Sequence, residues 1–182
     1  MEGSIIFVFV EGPDDKTFFE KIVEPRIAGD IDKVEYFEYS EEHPEYIEDR
    51  IRGLESDKMP DHVDYIFLTD RDDCEDKESS IEEITENYPE ISQEKVKVVV
   101  IEIESWYFAG LDQDNCKKLN IPYFKDTSNK NKEEFKSRLP EKLYTSSNFK
   151  TSFLNNITTK FNVKEAKKTN DSFKEFCQYI DL

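Results

Sequence analysis

Acidic residues recur at one kind of place in this chain. Glu11 follows the apolar run Ile5 to Val10, with Asp14 and Asp15 close behind. Asp70-Arg71-Asp72-Asp73 follows the run Val63 to Thr69, and Glu102 and Glu104 close the run Val96 to Ile103. Alone, each has a plain explanation: a solvated strand end, a charged loop, a buried acid paired with a lysine. Together they bring like charges to one edge, and like charges gathered in one place call for a cation. Oxygen donors of this kind select hard ions, Mg²⁺, Mn²⁺ or Ca²⁺. Other catalytic chemistries are poorly supplied. The only histidines, His43 and His62, stand far from any cysteine. Cys74, Cys116 and Cys177 are odd in number and widely spaced, which fits a reducing, cytoplasmic compartment rather than a disulfide framework or a zinc site. Carboxylates must therefore carry any reaction.

The elements that would position these acids are legible from periodicity. Ser4 to Val10 reads as a strand buried on both faces, Val34 to Tyr39 as a second, Val63 to Thr69 as a third and Val96 to Ile103 as a fourth. Between them lie helical patterns. Asp14 is placed to cap a helix carrying Phe18, Phe19, Ile22 and Val23. A second helix runs from Pro44 through Tyr46, Ile47, Ile51 and Leu54, and a third from Glu78 to Tyr88. A further helix begins at Trp106. Strands alternating with helices predict an α/β fold with a parallel, three-layer, Rossmann-like sheet. Ligands of such sheets bind beyond the carboxyl ends of the strands, the edge that collects the acids. Residues 120–132 read as a loop. Beyond it the pattern is helical, with one apolar stripe at Phe149, Phe153, Leu154, Ile157 and Phe161 and another at Phe173, Phe176, Cys177 and Ile180.

Charge divides the chain. Of 182 residues, 42 are acidic and 25 basic. Residues 1–116 hold 34 acids and 11 bases, whereas residues 117–182 hold 8 acids and 14 bases. The expectation is an α/β domain over 1–116 and a basic, mainly helical extension over 117–182 packed on it. The acidic part repels nucleic acid and anionic membranes; the basic part can meet phosphate. Lys150, Lys160, Lys164, Lys167 and Lys168 recur at spacings that partly share a helix face. Lys160, Lys164 and Lys167 are the candidate contacts to DNA or RNA, with plain solubility as the alternative. No run approaches a membrane span, and the first apolar run lacks the basic leader of a signal peptide.

A hydrophobic strand followed by Glu11-Gly12, and another followed by Asp70-Arg71-Asp72, resembles the TOPRIM domain of topoisomerases, primases and the OLD (overcoming lysogenization defect) nucleases. The interval from Glu11 to Asp15 is similar to the OLD-type branch. Glu104-Ser105-Trp106 is similar to a Glu-x-Trp feature of small stand-alone TOPRIM-like proteins. The resemblance covers about residues 4–111. It implies Mg²⁺- or Mn²⁺-dependent phosphodiester hydrolysis. Glu11 would act as general acid or base, Asp70 and Asp72 would hold metal, and Asp15 and Glu104 would complete a second metal site. A downstream lysine is expected in OLD-type sites, and Lys150 is the candidate. OLD proteins carry an ATPase domain ahead of this region, and the expectation here is a departure from that pattern, a TOPRIM-like region without one.

Three other readings compete. A receiver domain would also gather acids after strands one and three, with Ser105 as its hydroxyl residue, but it requires a fifth strand and a lysine after it. A haloacid-dehalogenase-like phosphatase would carry its aspartates after the first strand, not the third. The strongest rival is a non-catalytic, metal-binding interaction module, or a subunit that works with a partner ATPase.

Overall fold

The structure is a computed structural model and describes residues 4–27, 29, 31–56, 60, 62–71, 74–139, 141 and 147–182; for 132 and 147–152 it describes the backbone alone. Contacts divide the chain into two units, Met1–Val98 and Val99–Leu182. By composition the first carries 30 acids and 11 bases, and the second 12 acids and 14 bases.

In the first unit β1 (Ile5–Val10) leads into α1 (Pro13–Phe18), a π-helical turn (Phe19–Val23) and α2 (Glu24–Ile27). β2 (Lys33–Glu38), α3 (Pro44–Leu54), β3 (Val63–Asp70), α4 (Lys77–Asn87) and β4 (Val96–Val99) come next. The sheet is all parallel, in the order β2-β1-β3-β4. That order fixes where the helices lie. The chain steps one way from β1 to β2 and the other way from β2 to β3 to β4. Right-handed crossovers then put the α1–α2 segment on one face and α3 and α4 on the other. This is the α/β architecture the strand–helix alternation predicts.

Side-chain alternation along the strands fills both layers. Phe9, Tyr65 and Phe67 face α3 and α4, where they join Tyr39, Ile47, Ile51, Tyr88 and Ile91. Phe67 stacks on Phe9 at 5.5 Å and on Tyr39 at 4.5 Å between ring centroids. Val8, Val10, Ile66 and Leu68 point the opposite way and are buried, as are Phe18, Phe19, Ile22 and Val23 of the crossover. Burying one such side chain contributes about 1.5–3 kcal/mol. The first helix is capped differently from the sequence expectation. Gly12, not Asp14, is the N-cap, and Asp15 at the third helical position accepts the Gly12 N–H at 3.1 Å.

The fourth strand is a correction. The apolar pattern extends to Ile103, but pairing stops at Val99. The Val100 N–H donates to Ser172 Oγ at 3.2 Å, and the Val100 carbonyl accepts from Ser105 Oγ at 3.3 Å. Ile101 then turns the chain with φ of 66°, which is costly for a β-branched residue. Glu104 therefore opens a helix, α5 (Glu104–Ala109), and does not close a strand.

The second unit continues with α6 (Gln113–Leu119), α7 (Lys132–Arg138), α8 (Ser147–Thr158), α9 (Val163–Thr169) and α10 (Asp171–Tyr179). Phe153, Leu154, Ile157, Phe161, Phe173, Phe176 and Cys177 of the two expected stripes are buried, whereas the Phe149 side chain lies outside the described residues. Gly110 is where the Phe161 ring closes in: a Cβ there would lie 2.3 Å from it. A polar cluster sits inside this unit. Asn170 Oδ1 caps α10 by accepting the Phe173 N–H at 2.9 Å and also takes the Ser172 hydroxyl proton at 2.9 Å. Its Nδ2 donates to Thr127 Oγ1 at 3.0 Å and Ser105 Oγ at 3.3 Å, and Trp106 Nε1 donates to Ser172 at 2.8 Å. Such a network stabilises only when complete. Asn170→Asp, nearly the same shape, removes both Nδ2 donors and buries a charge. It is expected to cost about 3–5 kcal/mol, the scale of an uncompensated buried charge, in chemical denaturation. A loss under about 1 kcal/mol would mean the cluster contributes little.

Candidate functional site

Register aligns the carboxyl ends of β2, β1 and β3. Val10 pairs with Glu38 and Phe9 with Phe67, so Glu11 comes abreast of Tyr39 on one side and Thr69 on the other. β1 is also where the strand order reverses, with β2 on one flank and β3 on the other. In open parallel sheets a ligand crevice forms beyond the carboxyl ends at such a reversal. A cleft of about 510 Å³ lies there. Glu11 lines it from the end of β1, Tyr39 and Ser40 from the turn after β2, and Thr69, Asp70 and Arg71 from the end of β3. Cys74 from the next loop and Ser80, Glu83 and Ile84 from α4 complete the lining.

Hydrogen bonds hold this edge in shape. The Glu11 carbonyl accepts from the Ser40 hydroxyl, which ties the end of β1 to the turn after β2 through the main chain rather than the carboxylate. Burial raises the Tyr39 phenol well above its ordinary pKa. The negative charges of Glu11, Asp70 and Asp15 push it further, against a bond to Thr69 that acts the other way. Tyr39 is thus a neutral hydroxyl in the field of three carboxylates. Asp76, the N-cap of α4, accepts the Ser79 N–H at 2.8 Å. That bond and the Ser79 hydroxyl lower its carboxyl, and the positive charge of Arg71 lowers it a little more.

Each expected residue has its own place. Glu11 and Asp70 meet in the cleft. Asp15 is buried and bonded to Gly12, a capping role, and does not line the cleft. Glu104 belongs to the second unit, where it is buried in the first turn of α5. Asp72 and the Lys150 side chain lie outside the described residues. Lys160 falls between α8 and α9 rather than on a helix, with Nζ 3.4 Å from Thr159 Oγ1. On α9, Lys164 is exposed, Lys167 donates to the Leu182 backbone oxygen and Lys168 pairs with Glu165 at 3.3 Å.

Several lining residues are not among the sequence candidates. Tyr39, Ser40 and Thr69 stand at strand ends, but they carry no charge to draw notice. Ser80, Glu83 and Ile84 have the i, i+3, i+4 spacing of one helix face, a signal present in the sequence. Cys74 donates its thiol to Glu83 at 3.1 Å from within the cleft, whereas Cys116 and Cys177 are buried. Burial pushes the Cys116 thiol up to about 11, away from the reactive thiolate. Brief iodoacetamide treatment of the folded protein is therefore expected to label Cys74 alone, read by peptide mass mapping. Equal labelling of Cys116 or Cys177 would contradict the packing.

The donor set fits a hard cation of modest demand. Among the described residues no group of three or more His, Cys, Asp and Glu side chains is arranged to hold a metal. Mg²⁺, however, usually keeps several waters and binds through one or two carboxylates together with a substrate phosphate. Glu11 and Asp70 both line the cleft and are the residues that could hold such an ion. Fold and site together define an α/β protein with an acidic cleft at the carboxyl edge of a parallel sheet. The chain matches no family model, no curated protein and no solved structure. Among the described residues no helix is long and apolar enough to cross a membrane.

Proposed function

We propose that this protein is a TOPRIM-like phosphodiesterase acting on nucleic acid, dependent on Mg²⁺ or Mn²⁺. The observation that supports this is the meeting of Glu11 and Asp70 in one cleft where the strand order reverses. In this reading Asp70, with Asp72 beside it in sequence, holds the cation, which when bound neutralises charge developing on the phosphoryl group. Glu11 takes a proton from the attacking water or returns one to the leaving oxygen, at a carboxylate oxygen. Tyr39 and Thr69 supply hydroxyls beside that carboxylate. On the resemblance alone, Asp15 in the first unit and, separately, Glu104 in the second are proposed as further metal donors, and Lys150 as the downstream lysine. DNA or RNA meets Lys160, Lys164 and Lys167 in the basic part of the chain.

The deciding experiment is incubation of pure protein with mixed DNA and RNA substrates in Mg²⁺, in Mn²⁺ and in EDTA. Cleavage with either metal and none in EDTA is expected. Metal binding without cleavage would instead support a non-catalytic module or a subunit that needs an ATPase partner. Neither binding nor cleavage would remove the reading.

A further inference from the structure

Arg71 is the one base in a cleft whose other charged lining residues, among those described, are the acids Glu11, Asp70 and Glu83. Its surroundings are unusual for a structural arginine. Nε is shielded from solvent and makes no hydrogen bond among the described residues. A buried nitrogen with no hydrogen-bond partner costs stability. Such costs persist mostly where a site is shaped for a ligand. We infer that Arg71 is the anion-holding residue of the cleft, and that the group it recognises is the phosphate of a nucleotide. The inference rests on reading the cleft as a phosphodiester site and names the residue that tells a phosphate from other ligands.

The chemistry comes from placement. Acids alone would repel a phosphate. A guanidinium in their midst reverses that locally and offers a planar fork that matches two phosphate oxygens. Arg71 also succeeds Asp70 directly in the chain. A phosphate held by Arg71 therefore lies against the carboxylate that is to hold the cation, so anion and cation sites form a single locus. The first unit otherwise carries a large negative excess, 30 acids against 11 bases, so binding there needs a local cation.

The test compares thymidine 5′-monophosphate with thymidine, which share base and sugar and differ only in the phosphate. Binding of each to the full chain is measured by calorimetric titration in Mg²⁺ and in EDTA. Wild-type protein is expected to prefer the monophosphate in both. Arg71→Gln should weaken monophosphate binding about tenfold or more, leave thymidine binding alone and bind Mg²⁺ at least as tightly, because a like charge has gone. A merely structural arginine would not move that preference. Arg71→Lys, which keeps the charge and loses the fork, should fall between the two, and it carries the test if the Gln variant fails to fold. An unchanged preference in a folded variant, or no preference in the wild type, overturns the inference. The outcome separates from the nuclease reading. A protein that shows the Arg71-dependent preference in EDTA yet never cuts nucleic acid would keep this inference and lose that one.

Discussion

Glu11→Gln is expected to lower cleavage of a nucleic-acid substrate about 10²–10⁴-fold, the usual contribution of a positioned general acid or base. Glutamine has nearly the same shape, so the edge should keep its form. The tie from Ser40 goes to the Glu11 main chain, not to the carboxylate. Strand pairing beside Glu11, between Val10 and Glu38, is likewise a main-chain matter. What the variant loses is one negative charge and the ability to take up a proton. Metal affinity should therefore fall less than when Asp70 is changed. The measurement is initial cleavage rate for wild type and variant prepared side by side, with Mn²⁺ titration of both. Equal rates would take Glu11 out of the chemistry and point to a contaminating nuclease as the source of cutting.

The fold is far more legible in the sequence than the site, for a physical reason. Runs such as Ile5 to Val10 and Val63 to Thr69 are buried on both faces, so their apolar content alone marks them as parallel strands. Helical spacing at Ile47, Ile51 and Leu54 marks α3 in the same direct way. The fourth strand ends earlier than its apolar pattern because its end is set by distant partners. Ser172, far along the chain, takes the Val100 N–H that a strand would have offered to a neighbour. No local pattern at Val100 announces that. The short helix α6 is hidden for a similar reason. Its seven residues, Gln113 to Leu119, include few apolar ones, so no apolar stripe marks the helix that Asp112 caps.

Within the site, charge is legible and neutral polar groups are not. An acid directly after an apolar run is conspicuous, so inspecting the end of each strand finds Glu11 and Asp70. The same inspection reaches Tyr39 at the end of the second strand, where the sequence reads as an ordinary loop start. Yet Tyr39 is the phenol on which Glu11, Asp70 and Asp15 all act. Asp15 shows how one signature can serve two purposes. Its spacing from Glu11 suggests a ligand, and its hydrogen bond to Gly12 shows a helix cap. The two roles share one sequence signature, an acid in the first turn of a helix that succeeds a strand.

Asp70→Asn should all but abolish metal binding, and this is the largest equilibrium effect the cleft predicts. Asp70 sits at the last position of β3, half-buried, with one carboxylate oxygen shielded from water. Charge interactions are strong in such a setting. At an effective dielectric near 20, two unit charges about 4 Å apart interact by about 4 kcal/mol. One carboxylate charge is thus worth about a hundredfold to a thousandfold in affinity for a cation. Without metal the same charge is unfavourable. It shares its cleft with Glu11 and Glu83, against the one positive charge of Arg71, in a unit with a large excess of acids. The neutral variant should therefore melt no lower than wild type in EDTA, and the double change with Asp72→Asn should behave alike. Thermal melts read both halves at once. At Mn²⁺ a hundred times the dissociation constant, wild type should gain about 2.7 kcal/mol of stability, roughly 5–10 °C for a chain of this size. Asp70→Asn should show no such rise at that Mn²⁺ concentration. A full metal-induced shift in the variant would mean that the cation sits elsewhere. A variant that melts well below wild type in EDTA would mean that Asp70 serves the fold as a hydrogen-bonding group, and that its charge is not the liability the cleft implies.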